Sequence, residues 1–144
     1  MRKVSLERDE NSYFIPWIRK EWKLHNERNK FYQLNLGAEV DFKENDECYK
    51  IIFKNTVVGF IQLRITERMS HGGKTLYIYR FFVDDKYRGA GIGTQVMEHI
   101  IEMAKKFNMD LELDVFEHNP AVKLYERFGF ETFSKTMICK IKRK

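Results

Sequence analysis

The feature that most constrains this chain is an abrupt change of period near residue 90. Residues Leu76 to Val83 are rich in aromatic and β-branched side chains and read as a strand, which stops at Asp84-Asp85-Lys86-Tyr87-Arg88-Gly89-Ala90-Gly91-Ile92-Gly93-Thr94. Beyond it, Val96, Met97, Ile100, Ile101, Met103, Ala104 and Phe107 fall within an arc of about 160° at about 100° per residue. Gln95, Glu98, His99, Glu102, Lys105 and Lys106 occupy the opposite side, so an amphipathic helix follows the glycines directly. Glycines ahead of a helix let backbone N–H groups converge on an anion, because no side chain blocks approach and the helix start carries partial positive charge. Arg88 adds a formal charge, and a diphosphate suits the arrangement.

Spacing decides among diphosphate ligands. A dinucleotide-binding turn puts its first glycine at the strand end and needs glycine at its third fingerprint position, where this chain has Thr94, and five residues separate Val83 from Gly89. A Walker loop needs Gly-Lys-Ser/Thr, whereas Gly93 is followed by Thr94 and Gln95. A ligand-free glycine-rich connection is the remaining alternative. It leaves unexplained why three glycines, each with an entropic cost, stand within five residues.

The flanking sequence supplies the other elements. Val4 and Leu6 alternate with polar residues as in a half-buried strand, and residues 12 to 37 suit one or two helices, with Pro16 in a first turn. Cys48 to Lys54 and Val57 to Ile65 read as a hairpin about a turn at Asn55, and Lys74 to Val83 as the next strand. After the amphipathic helix, Leu111 to Phe116 alternates as a strand, and Asn119-Pro120 opens a helix carrying Ala121, Leu124, Tyr125 and Phe128, closed by Gly129. Residues 130 onward, and Met137 to Ile141, predict two closing strands. The expectation is an α/β (α+β) single domain over residues 1–144: a mixed, mostly antiparallel twisted sheet of six to seven strands with about four helices, in the order β-α-α-β-β-β-α-β-α-β-β.

Composition narrows the functional classes. In 144 residues, 43% are hydrophobic and 33% charged, which excludes a disordered or low-complexity chain. Apolar runs fall far short of the roughly 20 residues a bilayer helix needs, and the first ten residues lack a signal-peptide core, so a cytoplasmic protein with no membrane partner is expected. The formal charge of +5 is matched by Lys135, Lys140, Lys142, Arg143 and Lys144, leaving residues 1–134 balanced. No basic stripe marks a nucleic-acid groove in the body, so no nucleic acid is expected, although the basic tail could bind a polyanion. Cys48 and Cys139 have neither metal-ligand nor redox spacing, and are expected to be buried thiols, with no metal.

With these residues in view, the chain resembles the GCN5-related N-acetyltransferase (GNAT) superfamily. Arg88-Gly89-Ala90-Gly91-Ile92-Gly93 matches its Arg/Gln-x-x-Gly-x-Gly/Ala signature, and Asn119-Pro120-Ala121-Val122-Lys123-Leu124-Tyr125-Glu126-Arg127-Phe128-Gly129-Phe130 resembles its second block. The resemblance implies acetyl-coenzyme A as donor, its pyrophosphate on the amides from Arg88 through Gly89, Ala90, Gly91, Ile92 and Gly93 to Thr94. It further implies that the pantetheine arm runs along the backbone of Phe81, Phe82 and Val83, between strands that splay apart, and reaches Asn119.

The chemistry sets further requirements. A primary amine with a pKa of about 10.4 is mostly an unreactive ammonium at neutral pH and must lose a proton before attacking a thioester. The oxyanion then needs backbone N–H donors, and the departing thiolate needs a proton. Tyr125 matches the position where many members of the superfamily place the acid, although it also fits the apolar stripe of its helix. Asp114 is the first choice of base, with Glu117, His118 or a water as alternatives, and strand alternation alone would equally put a solvated acid there. Arg80, unusual in so apolar a strand, faces either an acidic substrate group or a neighbouring carboxylate. A non-catalytic acyl-coenzyme A sensor or scaffold is the competing class. The acceptor stays open: the acids from Asp41 to Glu47 could attract a polyamine or aminoglycoside or be a solvated loop, and the closing strands could offer an edge for a homodimer.

Overall fold

The computed structural model describes residues 3–9, 15–28, 44–67, 73–116 and 119–142. Hydrophobic alternation places strands β1 (Ser5–Arg8), β2 (Glu47–Phe53), β3 (Thr56–Glu67), β4 (Lys74–Val83) and β5 (Asp110–Leu113) in one sheet, in chain order. The first four are antiparallel neighbours, and β5 joins β4 in parallel after the crossover helix α2 (Ile92–Phe107). Helix α1 (Ile15–Arg28) precedes β2, and a short helix α3 (Val122–Arg127) follows β5. A two-residue turn closes the β2–β3 hairpin, with Lys54 and Asn55 both at positive φ, 54° and 60°. That is the conformation whose twist matches the flanking strands.

The sheet separates two apolar layers. On one face Ile61, Leu63, Leu76 and Ile78 pack against Ile92, Val96, Met97 and Ile100 of α2 and Tyr125 of α3. On the other, Phe60, Phe82 and Cys48 pack against Ile18, Trp17 and Trp22 of α1. The amphipathic arc of α2 is buried as its period predicts, while Phe107 at its last turn is half exposed. Two backbone details shape the region near the site. Leu63 pairs with Ile78 but Gln62 with Arg80, so Tyr79 is an extra residue, a β-bulge, in β4. Gly59 of β3 lies so close behind β4 that an added Cβ would stand 2.0 Å from the Phe82 carbonyl oxygen.

The bulge explains Arg80. Leu76 and Ile78 face α2, and so do Phe81 and Val83, because the extra residue reverses the alternation between them. Arg80 is thereby turned to the α1 face, where it is buried with its guanidinium 4.8 Å from the Tyr79 ring centre and 6.0 Å from that of Trp22.

Three expectations need correction or fall elsewhere. The closing strands do not form among the described residues: 131–142 carry no strand, and Phe133, Met137 and Ile141 are 73%, 90% and 66% exposed. Their side chains have strand-like preferences, but a strand also requires a ladder partner, and the sheet ends at β5. Cys48 is buried as expected, whereas Cys139, in this exposed segment, is not. A second helix between residues 29 and 43 lies outside the described residues, as do Glu117 and His118. Among the described residues no helix is long and apolar enough to cross a membrane.

Candidate active site

The glycine-rich segment is anchored before it opens. The Asp84 amide donates to the Val58 carbonyl at 2.8 Å, and the Asp84 carboxylate accepts from Lys20 Nζ at 3.0 Å and the Lys86 amide at 3.3 Å. Burial pushes this carboxyl up, but the hydrogen bonds and charges of Lys20 and Lys86 outweigh it and hold the group below the usual range. A single 3-10 turn, Asp85–Tyr87, follows, and Arg88 pairs with Asp85. Gly89 and Gly91 then adopt φ of 81° and 78°, which only glycine takes without strain, and Gly91 caps α2. The Arg88 amide donates to the Asp85 carbonyl and the Gln95 amide to Gly91, so the run of amides turned toward the helix entrance is that of Gly89, Ala90, Gly91, Ile92, Gly93 and Thr94. The Arg88 amide is thus committed within the turn, and its guanidinium lies against the Asp85 carboxylate. Gly93 has a separate reason: a Cβ there would stand 3.0 Å from Leu124 of α3, so it lets α3 close on α2.

Beside this entrance the sheet opens. The β4–β5 ladder runs from Thr75↔Asp110 to Ile78↔Leu113 and stops, while β4 continues to Val83. The bulge at Tyr79 falls at the residue after the last pair, bending β4 away just where β5 ends. Along Tyr79 to Val83, which includes Phe81, Phe82 and Val83, the β5-side edge of the backbone has no strand partner among the described residues. An edge of N–H and C=O groups open to an extended ligand results, ending next to the α2 N-terminus.

Three ionisable side chains from different elements, Tyr125, Glu21 and Arg80, influence one another electrostatically. Tyr125 of α3 is 7% exposed, its ring 5.7 Å from that of Phe130. Burial, then the charge of Glu21, pushes its phenol well above the ordinary value, so the hydroxyl stays protonated. Glu21 of α1 is itself raised to about 7 because burial outweighs the opposing charges of Arg80 and Arg88. Its Oε2 and Arg80 Nη1 are both sealed from solvent without a hydrogen-bond partner among the described residues. Glu21 belongs to the α1 layer and Tyr125 to the α2/α3 layer, yet they interact.

Asn119 lies in the segment between β5 and α3. Its amide donates to the Phe116 carbonyl at 2.9 Å and its Oδ1 accepts from the Ala121 amide at 2.9 Å, leaving the side-chain NH2 as the group it can offer a ligand. The helix starts at Val122, so Asn119-Pro120 forms the turn before α3 rather than its first turn. Asp114 lies just beyond β5, exposed, and accepts a hydrogen bond from the Tyr77 hydroxyl. The carboxylate whose charge raises the Tyr125 phenol is that of Glu21. Glu21 was missed by sequence reasoning, although a signal existed. It shares a helical stripe with Ile18 and His25, both buried, and an acid at an inward position among Trp17, Ile18 and Trp22 is out of pattern.

The fold that carries this open strand edge beside a glycine-opened helix entrance is one that known proteins share. The acetyltransferase (GNAT) family model matches residues 5–130, all the elements from β1 to α3, and the chain belongs to that family. It is 28% identical over 118 residues to a spermine/spermidine N(1)-acetyltransferase of Bacillus subtilis, covering 75% of this chain and 77% of the relative. It is 30% identical over 108 residues to N-alpha-acetyltransferase 50 of Danio rerio, covering 72% of this chain and 58% of that protein. The fold matches a tetramutant of the BH1408 protein of Bacillus halodurans with TM-score 0.75 at 22% identity, over 95% of this chain and 99% of the other. An aminoglycoside acetyltransferase from a soil metagenome matches with TM-score 0.61 at 14% identity, over 98% and 97%. The family and its named relatives support acyltransferase activity, and acetyl-coenzyme A is the donor the family generally uses.

Proposed function

We propose that the chain, as a single domain, transfers the acetyl group of acetyl-coenzyme A to a primary amine by direct attack in a ternary complex. The observation that carries this reading is the open β4 edge from Tyr79 to Val83, continuous with the amides of the α2 N-terminus. Those amides, Gly89 to Thr94, and the Arg88 guanidinium suit the pyrophosphate. The backbone of Phe81, Phe82 and Val83 suits the amides of the pantetheine arm, and the Asn119 NH2 is a further donor for it. The coenzyme supplies the activated acetyl thioester. A β4 backbone N–H stabilises the developing oxyanion, and Tyr125, kept protonated, donates its O–H toward the sulfur. Asp114, the first choice of base from the sequence, is exposed just beyond β5, where its carboxylate accepts from Tyr77.

The acceptor panel follows from the relatives: spermidine and spermine first, then peptides with free α-amines. Calorimetry with acetyl-coenzyme A, followed by free-thiol release on adding each amine, tests the reading. Binding with amine-dependent thiol release is expected. Folded protein that does not bind acetyl-coenzyme A would overturn it, and binding without release from any amine, cell extract included, would leave a sensor of acyl-coenzyme A.

A further inference from the structure

We infer that Glu21 is the group that takes the proton from the acceptor's ammonium, reaching it through the gap between β4 and β5. This rests on the acetyltransferase reading above and adds a residue to it. Helix α1 is anchored at its neighbours: Lys20 bonds Asp84 at 3.0 Å, and Trp17 packs on Phe82 with ring centres 5.9 Å apart. The helix therefore holds residue 21 toward the sheet opening. The Glu21 Oε2 is sealed from solvent and has no hydrogen-bond partner among the described residues. That oxygen has lost its hydration with no hydrogen bond in return, only the charges of Arg80 and Arg88 opposing the cost, which a purely structural role would not favour.

The facing groups define what Glu21 can accept. Arg80 of β4 and Arg88 before α2 bring positive charge, Tyr125 of α3 brings a phenol, and His25 stands one turn along α1 with its ring 4.0 Å from Phe116. Arg80 is held over Tyr79 and Trp22, and its Nη1 makes no hydrogen bond among the described residues, so it lends charge without closing a fork on Glu21. An arriving ammonium supplies the missing donor. Glu21 takes one of its protons, and the freed nitrogen forms the C–N bond as the C–S bond breaks. The sulfur receives its proton from Tyr125, which regains one from the same nitrogen. One amine proton thus ends on the thiol and one on Glu21, which returns it to solvent.

Glu21→Gln, measured with the amine that the panel identifies, tests this. In the parent protein kcat/KM should rise with pH through a limb near 7, the value of the buried carboxyl. In Glu21→Gln the rate at pH 7 should fall about 100-fold and the limb should move toward about 10, where free amine is present without a base. The affinity for acetyl-coenzyme A should stay within about twofold, and Glu21→Asp should keep the limb near 7 at a reduced rate. Unchanged turnover and an unchanged limb in Glu21→Gln would overturn the inference, as would a uniform loss that high pH does not rescue in a variant that still binds acetyl-coenzyme A. Failure of the parent protein to bind acetyl-coenzyme A would instead sink the acetyltransferase reading, and this inference with it.

Discussion

Two buried carboxylates on the same face of the sheet are treated in opposite ways. Asp46 accepts from Arg64 through both Nε and Nη2 at 2.7 Å, and from Gln62 Nε2 at 2.7 Å, so a bidentate fork and an amide saturate it. Glu21 has an arginine nearby as well, but Arg80 is stacked on aromatic rings and makes no fork, and Glu21 Oε2 is unpaired among the described residues. A carboxylate beside an arginine is a closed fork at one place and leaves an unpaired oxygen at the other. What separates them is whether the donors have already been committed by the fold.

The largest effect is expected from breaking the fork. Asp46→Ala removes the carboxylate fork from the Arg64 guanidinium, 12% exposed, and should cost about 3–5 kcal/mol, read as a lower urea midpoint at unchanged slope. Glu21→Gln should move stability the other way. The folded carboxyl titrates at about 7 against an ordinary 4.5, so the folded chain binds that proton more tightly than the unfolded one. Stability therefore falls as pH rises between those values, and the full cost is present above them. Removing the charge should raise stability by up to about 3 kcal/mol at pH 8 and by little at pH 4.5, visible as a pH-dependent gap in Tm. Smallest is Tyr125→Phe, which keeps the ring on Phe130 and removes one hydroxyl. Turnover should drop about 10- to 100-fold, or about 1.4–2.7 kcal/mol in activation free energy, with acetyl-coenzyme A affinity unchanged in calorimetry.

How much of this was legible in the sequence depends on range. Helix α2 and the glycines before it are local matters of period and φ, and Gly89, Gly91 and Gly129 all take the positive φ that their places demand. The strands from β1 to β5 were legible for the same reason, since alternation marks a half-buried face. The bulge at Tyr79 was not, because an extra residue is defined only against the partner strand, and with it went the direction of Arg80. Glu21 gave a sign, an acid on an apolar stripe, but its meaning came from elements more than fifty residues away, at Arg80, Arg88 and Tyr125. The closing strands failed for the converse reason: residues 131–142 have strand-like chemistry and no ladder among the described residues.

Gly59 carries a consequence for anyone who maps this chain by exhaustive substitution. It is on the strand behind β4, has no polar side chain and sits in ordinary extended backbone, so nothing about its chemistry suggests a part in acyl transfer. Yet the smallest possible side chain there would stand 2.0 Å from the Phe82 carbonyl oxygen, and every replacement must push the binding edge forward or split the β3–β4 ladder. In a functional screen this position should therefore tolerate no alternative residue, scoring as severely as the reacting groups themselves. An intolerant glycine in such a map would mark the strand that backs the open β4 edge, and a survey that equates intolerance with chemistry will count one residue too many.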